Sequence, residues 1–295
     1  MNIGCNGGSP THACLIKPFI TVFLWGVFGM AGLAQPTLSP TGARAAGMGG
    51  ITSVDVDVWS AINNPGSLGM MAEAGAGVSH EQRFAMADMG ISTIVGTLPL
   101  WGNGVGVYVS SLNPGLASYG ESLAGLSAGR KLNEYLAVGV GIEGRMLHFP
   151  QGYQNLWAVA GQAGILARPA SRLTLGFHVA NLSLSKWNGE ENTLLPVVFT
   201  LGACYVIASR VQVYAEATKD IYEALRVKIG TEFTVVKALY LRVGVVSAPF
   251  ETHFGVGYAH KRLRFDAALS RHPVLGYTPT GSISIRFSSS SRGNA

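Results

Sequence analysis

Apolar residues fall at alternate positions over most of this chain. Leu239, Leu241, Val243 and Val245 are interleaved with Tyr240, Arg242 and Gly244. A period of two sends successive side chains to opposite faces of a strand, so one face is apolar and the other polar. The same alternation sets Val211, Val213, Ala215 and Ala217 against Gln212, Tyr214, Glu216 and Thr218. It sets Leu225, Val227, Ile229 and Phe233 against Arg226, Lys228 and Glu232. It returns in Leu263, Phe265, Ala267 and Leu269 against Arg264, Asp266 and Ser270, and in Ile283, Ile285 and Phe287 against Ser282, Ser284 and Arg286. Segments of roughly ten residues with this pattern, repeated many times, mark a transmembrane antiparallel β-barrel, apolar outside and polar within. The fold class is therefore all-β.

About fourteen segments carry the pattern, an even number as in bacterial single-chain barrels. They run over 74–84, 87–99, 104–111, 121–132, 136–148, 156–168, 172–181, 195–208, 211–219, 224–235, 239–247, 251–260, 263–270 and 278–287. The turns alternate in length. Gly102-Asn103, Asn133-Glu134, Ala170-Ser171, Ser209-Arg210, Lys237-Ala238 and Lys261-Arg262 are short, as on a periplasmic side. Asn113 to Gly120, Pro150 to Asn155, Leu182 to Asn192 and Arg271 to Tyr277 are longer.

Composition agrees. Mean hydropathy is +0.29 and charged residues make up 13%, about half the usual ~25% of a soluble domain. The 39 glycines are nearly twice the average share of about 7%. Beyond the N-terminus no apolar run is long enough for a spanning helix, so backbone polar groups must pair between strands in a closed barrel. The formal charge of +5 comes without a polybasic run, which leaves nucleic-acid binding without support.

The N-terminal 1–34 read as a signal peptide. Lys17 gives the charge, Phe19 to Met30 the apolar stretch, and Gly32-Leu33-Ala34 a small-x-small cleavage site. Cleavage there leaves Cys204 as the sole cysteine, a small hydrophobe in its strand. Residues 35–71 differ from the strands that follow. The small residues Gly42, Ala43, Ala45, Ala46, Gly47, Gly49 and Gly50 permit close backbone approach. With Met48, Val54, Trp59 and Ile62 among them, they suggest an N-terminal hatch or plug in the barrel lumen. The expected organisation is signal peptide 1–34, hatch 35–71, barrel 72–287 and polar tail 288–295. Phe287, an outward-facing aromatic ending the last strand, is the expected signal for the barrel assembly machinery.

Catalytic motifs fail on context. Gly125-Leu126-Ser127-Ala128-Gly129 fits G-x-S-x-G, but a nucleophile elbow needs a strand-to-helix turn and here another strand follows. His148, His178, His253, His260 and His272 lack metal-ligand spacing. No enzyme, cofactor or metal is expected. The remaining chemistry is in the lumen, where Arg145, Arg226, Lys228, Arg242, Arg264 and Arg286 face Glu143, Glu216, Glu232 and Asp266. Either these form an internal network that fills the barrel and holds the hatch, or they line a polar conduit with a slight anion preference. Asp55 and Asp57 are expected partners for the lumen arginines in both cases.

Two motifs resemble a known family. The run "GARAAGMGG" at 42–50, followed by "NNPGSLG" at 63–69, resembles the start of PorV/PorQ-type and FadL-type outer-membrane barrels. The matching positions are Gly42, Ala43, Arg44, Gly47, Met48, Gly49, Gly50, Asn64, Pro65 and Leu68. The stretch "RFDAALSRHPVLGYTPTGSISIRF" from Arg264 resembles the family's last two strands. The resemblance implies a 14-stranded barrel with an N-terminal hatch in an outer membrane. It implies one of two roles. The first is a non-enzymatic accessory of type IX secretion or surface-protein attachment, with secretion-system components as partners besides membrane lipid. The other is a FadL-like gated channel for small or hydrophobic compounds.

Overall fold

The structure is a computed structural model that describes residues 42–112, 119–150, 153–188, 195–221 and 223–287. The expected signal peptide, the first part of the expected hatch (35–41) and the polar tail lie outside these residues. Fourteen antiparallel strands follow one another around a closed barrel. They are β1 (Ala74–Gln82), β2 (Gly90–Leu100), β3 (Asn103–Leu112), β4 (Gly120–Asn133), β5 (Leu136–His148), β6 (Leu156–Ala170) and β7 (Leu173–Ala180). The second half holds β8 (Val198–Ala208), β9 (Val211–Asp220), β10 (Arg226–Val236), β11 (Leu239–Val246), β12 (Glu251–His260), β13 (Leu263–His272) and β14 (Gly276–Phe287). Strand β1 pairs with both β2 and β14, from Ala74↔Phe287 to Glu81↔Thr280 on the closing side. Closure leaves no edge of unpaired amides and carbonyls, the condition for a sheet surrounded by hydrocarbon.

Each expected segment corresponds to one strand, and the alternation lies as the sequence demands. Leu241, Val243 and Val245 are exposed on the outer wall while Arg242, Gly244 and Val246 are buried within. Two connections differ from expectation. Strand β2 begins at Gly90 because Arg83–Ala85 and Ala87–Met89 form short 3-10 turns. The first folds against β14, where the Phe84 amide donates to Thr278 Oγ1 at 3.0 Å. The expected long loop from Arg271 to Tyr277 is instead a tight connection: His272 pairs with Gly276, whose φ of +94° suits a residue without a β-carbon.

Residues 42–71 make three short helical turns, α1 (Gly42–Ala46), α2 (Ser60–Asn63) and α3 (Pro65–Leu68). Asn64 caps α3, accepting from the Gly66 amide, and Pro65 takes the first-turn position where a missing N–H costs nothing. The segment meets the buried faces of strands on every side of the barrel, so it lies inside. Val58, Trp59, Ala61, Ile62 and Leu68 pack with Ile91, Val95, Tyr108, Leu112 and Leu123 of β2–β4. Met48, Ile51 and Val54 pack with Cys204 and Tyr214 of β8 and β9.

Glycines make this fit possible. Gly104, Gly129, Gly139 and Gly164 face inward on β3 to β6 and are direct register partners in turn. The backbone of α3 lies in the shallow groove they leave. A β-carbon at Gly104 would overlap the Leu68 carbonyl, and one at Gly139 would overlap Pro65. A second pair, Gly176 and Gly202, receives Ser53, and a third, Gly230 and Gly244, receives Met48.

Gly139→Val keeps strand propensity but places a side chain where Pro65 lies. It is expected to fold as a heat-modifiable barrel with residues 42–71 displaced. Tryptic cleavage at Arg44 should then rise by about tenfold or more, the equivalent of ~1.4 kcal/mol or greater. Gly144→Val, at a position with open space around it, should leave that cleavage at the native rate.

Candidate functional site

The polar lumen holds the candidate site, and residues 42–71 supply one side of it. Arg44 stands at its centre. Its guanidinium lies 2.5 Å from Asp55 and 3.9 Å from Asp57 of the same segment, and 3.1 Å from Glu232 on β10. It also donates to Tyr214 Oη at 2.9 Å. Asp55 and Asp57 were expected to bind the lumen arginines; Arg44 takes them instead, because it lies between them and the wall. Glu232 in turn accepts from Arg242 at 2.6 Å and meets Arg264 at 3.4 Å. Asp266 closes the array at 2.8 Å from Arg242 and 3.0 Å from Arg264. Arg264 also sits 4.8 Å from the centre of the Tyr240 ring.

Burial alone would pull the Arg44 pKa down, but Asp55, Tyr214, Glu232 and Asp57 together raise it well above its usual value. It stays a cation. Burial pushes the Asp57 carboxyl up to about 6, helped by the neighbouring Asp55 and opposed by Arg44. Asp57 keeps 30% of its side-chain exposure against 8% for Asp55.

A second cluster ties the middle of the segment to β9 and β10. The Glu216 carboxylate accepts from the Thr52 amide at 2.9 Å, the Ser53 amide at 2.9 Å and Ser53 Oγ at 2.7 Å. Lys228 bridges the same carboxylate at 2.8 Å and the Gly50 carbonyl at 2.7 Å. Gly49 and Gly50 hold φ of +83° and +70°, the left-handed turn that aims this carbonyl. Gly42 is held under the Trp59 ring, Gly47 lies against Gly255, and Met48 and Leu68 are fully buried. Asn64 uses its other side-chain atom to donate to the Ser53 carbonyl at 2.5 Å. All ten motif positions thus lie within the packed segment.

Nine of the ten expected lumen charges join ion pairs, most of them with the acids that the alternation placed on the same inner face. Arg145 bridges Glu143 at 2.7 Å and Glu121 at 3.6 Å, and Arg226 meets Glu251 at 3.6 Å. Arg286 has the inward register but lies exposed near the barrel end, outside any ion pair among the described residues. Phe287 faces outward. Glu121, Glu251 and the chain Tyr108–Gln162–His178 were missed; Gln162 donates to Tyr108 Oη at 2.7 Å. Inward register was the signal that would have found them. Beside the Glu216 cluster a cavity of about 220 Å³ opens toward the longer connections, with Thr52 and Asn63 in its floor.

Glu232→Ala would leave Arg44, Arg242 and Arg264 facing one another. Loss of one partner from a buried pair costs about 3–5 kcal/mol, and most of that should fall on docking of residues 42–71, read as faster amide exchange there. Arg286→Ala should leave exchange unchanged. Docking should also depend on pH. Asp57 holds its proton to a higher pH when docked than a free carboxyl near 3.9, so docking gains as pH falls from 6 toward 4 and weakens as pH rises through 6. Asp57→Asn should reduce that dependence in exchange corrected for intrinsic rate, the remainder coming from Asp55, whose carboxyl burial also raises.

No family model matches the chain, and no curated protein sequence does. Among solved structures it resembles a FadL homologue of Pseudomonas aeruginosa (12% identity, 85% of this chain and 98% of that one, TM-score 0.61). It also resembles the toluene transporter TbuX of Ralstonia pickettii (13%, 84% and 98%, TM-score 0.63) and the toluene transporter TodX of Pseudomonas putida (14%, 84% and 96%, TM-score 0.57). Nothing in this likeness supports the PorV/PorQ assignment or type IX secretion. The chain has the closed, fourteen-stranded antiparallel barrel fold of FadL-like outer-membrane transporters.

Proposed function

We propose that this protein is an outer-membrane channel for small compounds, with residues 42–71 as the hatch that gates it. One observation carries the proposal: on its β9–β13 side the hatch is held by a dense set of directed polar bonds, beside only small apolar clusters around Met48 and Ala43. Glu216 and Glu232 hold Thr52, Ser53 and Arg44 there. Water that enters can replace these partners at little enthalpic cost, whereas an apolar seam resists it. The opposite side, against β2–β4, is the apolar cluster of Val58, Trp59, Ile62 and Leu68, which must also part when the hatch leaves the lumen. The outer wall supports placement in a membrane, with Ile94, Val140, Leu201, Ile229, Val243 and Phe254 exposed around it. The fold shared with toluene transporters supports transport over the secretion-accessory role, for which no feature of the lumen speaks.

A tether tests the gate. The Val58 Cγ2 atom lies 3.0 Å from the ideal β-carbon position of Gly77, close to the spacing a disulfide needs. In a Cys204→Ala background, Val58→Cys with Gly77→Cys should lock the hatch when oxidised. Oxidised protein in planar bilayers is expected to be silent, and reductant should restore conductance. Equal conductance in both states would show that the hatch does not gate the barrel.

A further inference from the structure

We infer that the short-turn end of the barrel binds the anionic headgroups of phospholipids in the leaflet around it. The inference goes beyond transport and rests only on the membrane placement proposed above.

Six two-residue turns close the hairpins at this end, the first at Trp101-Gly102 and the last at Lys261-Arg262. Arg172, Arg210 and Lys237 each occupy one of them, and Lys261 and Arg262 share another. Arg130 and Lys131 lie near the end of β4, and Arg168 near the end of β6. Arg286 completes the circle, its amide donating to the Arg262 carbonyl at 3.0 Å. All of these cations are exposed. Against them this end offers only Glu73 and Glu134 among the described residues, and Lys131 already bridges Glu134 at 3.0 Å. The other cations join no ion pair among the described residues. At the opposite end the signs mix: Arg83 pairs with Glu81 and Arg226 with Glu251, and Asp88 and Glu223 add further acids.

Like charges crowded on one rim repel one another, so the ring calls for a counter-charge outside the chain. Two observations identify it as lipid. The cations follow five of the six hairpins and β14 around the rim. That spread matches a surrounding annulus, where a single docked protein would need a patch on one side. Exposed aromatic residues stand at the same level, Trp101 and Tyr135 in the turns and Tyr205 and Tyr258 shortly before them. Leu132, Ile207 and Val236 are exposed beside them. An aromatic girdle marks the membrane interface, which puts the cations at headgroup depth. Their carbon stems can lie along the apolar wall while the charged ends reach phosphates.

Full-length protein is reconstituted in nanodiscs of equal phosphatidylcholine and phosphatidylglycerol, and native mass spectrometry counts the lipids that stay bound. Phosphatidylglycerol should be retained over phosphatidylcholine by about fivefold or more, the worth of one cation at an anionic surface. High salt should lower that ratio. Arg172→Gln, Arg210→Gln, Lys237→Gln, Lys261→Gln and Arg262→Gln combined should bring it close to one. Lys186→Gln with Arg271→Gln, exposed at the opposite end, should leave it unchanged. Heat-modifiable migration checks that each variant is folded. Equal retention of the two lipids would leave the ring to a soluble acidic partner and overturn the inference. A ratio unchanged in the five-site variant, or lost equally in the opposite-end control, would overturn it too. Failure to enter nanodiscs would refute the membrane placement as well, whereas equal retention leaves that placement and the hatch gate standing.

Discussion

Close approach of two backbones is the constraint on which the lumen depends. The inner wall of β3–β6 carries four glycines in register, and α3 lies against them with no side chain between. Gly66 completes the contact from the other side, since a β-carbon there would come within 2.8 Å of the Gly164 backbone. Glycine in a strand sacrifices conformational entropy and packing surface. The barrel accepts that loss because the neighbouring side chains inside can then belong to residues 42–71. Seating this backbone fixes the depth of the segment, and depth decides whether Arg44 reaches Glu232 and whether Ser53 reaches Glu216.

The two sides of the segment are held by different physics. Against β2–β4, burial of Trp59, Ile62 and Leu68 stabilises by area removed from water and has no direction. Against β9–β13, carboxylates accept directed bonds from backbone amides, hydroxyls and guanidinium groups. Such bonds are strong where water is excluded and weak where it enters. Buried charge is costly to desolvate and becomes favourable only when every partner is in place. A polar seam therefore behaves as a cooperative latch, while the apolar one yields gradually. The imbalance of Arg44, Arg242 and Arg264 against Asp55, Asp57, Glu232 and Asp266 leaves one acid in excess, and the burial of Asp57 favours giving that acid a proton.

The strands were legible because an apolar outer face and a polar inner face impose a two-residue period that no loop shares. Arg242 between Leu241 and Val243 has a single face open to it. The connection at 83–89 was not legible, since its 3-10 turns depend on a bond from Phe84 to Thr278, 194 positions away. The ion-pair partners Glu121 and Glu251 were hidden for a related reason. Strand register sets them, and register is a property of two strands, so Arg226 meeting Glu251 could not be read from either. The glycine count was visible and its meaning was not. Gly104, Gly129, Gly139 and Gly164 look like generic barrel glycines until pairing aligns them into one row.

Likeness of fold reaches the strand order and stops short of the cargo. At 12–14% identity the shared fold makes little demand on the outer wall of a barrel, where any apolar residue serves. The lumen has no such uniform solvent, and each inward position is free to specialise. In this chain the positions lining the cavity hold hydroxyls, amides and charges of both signs.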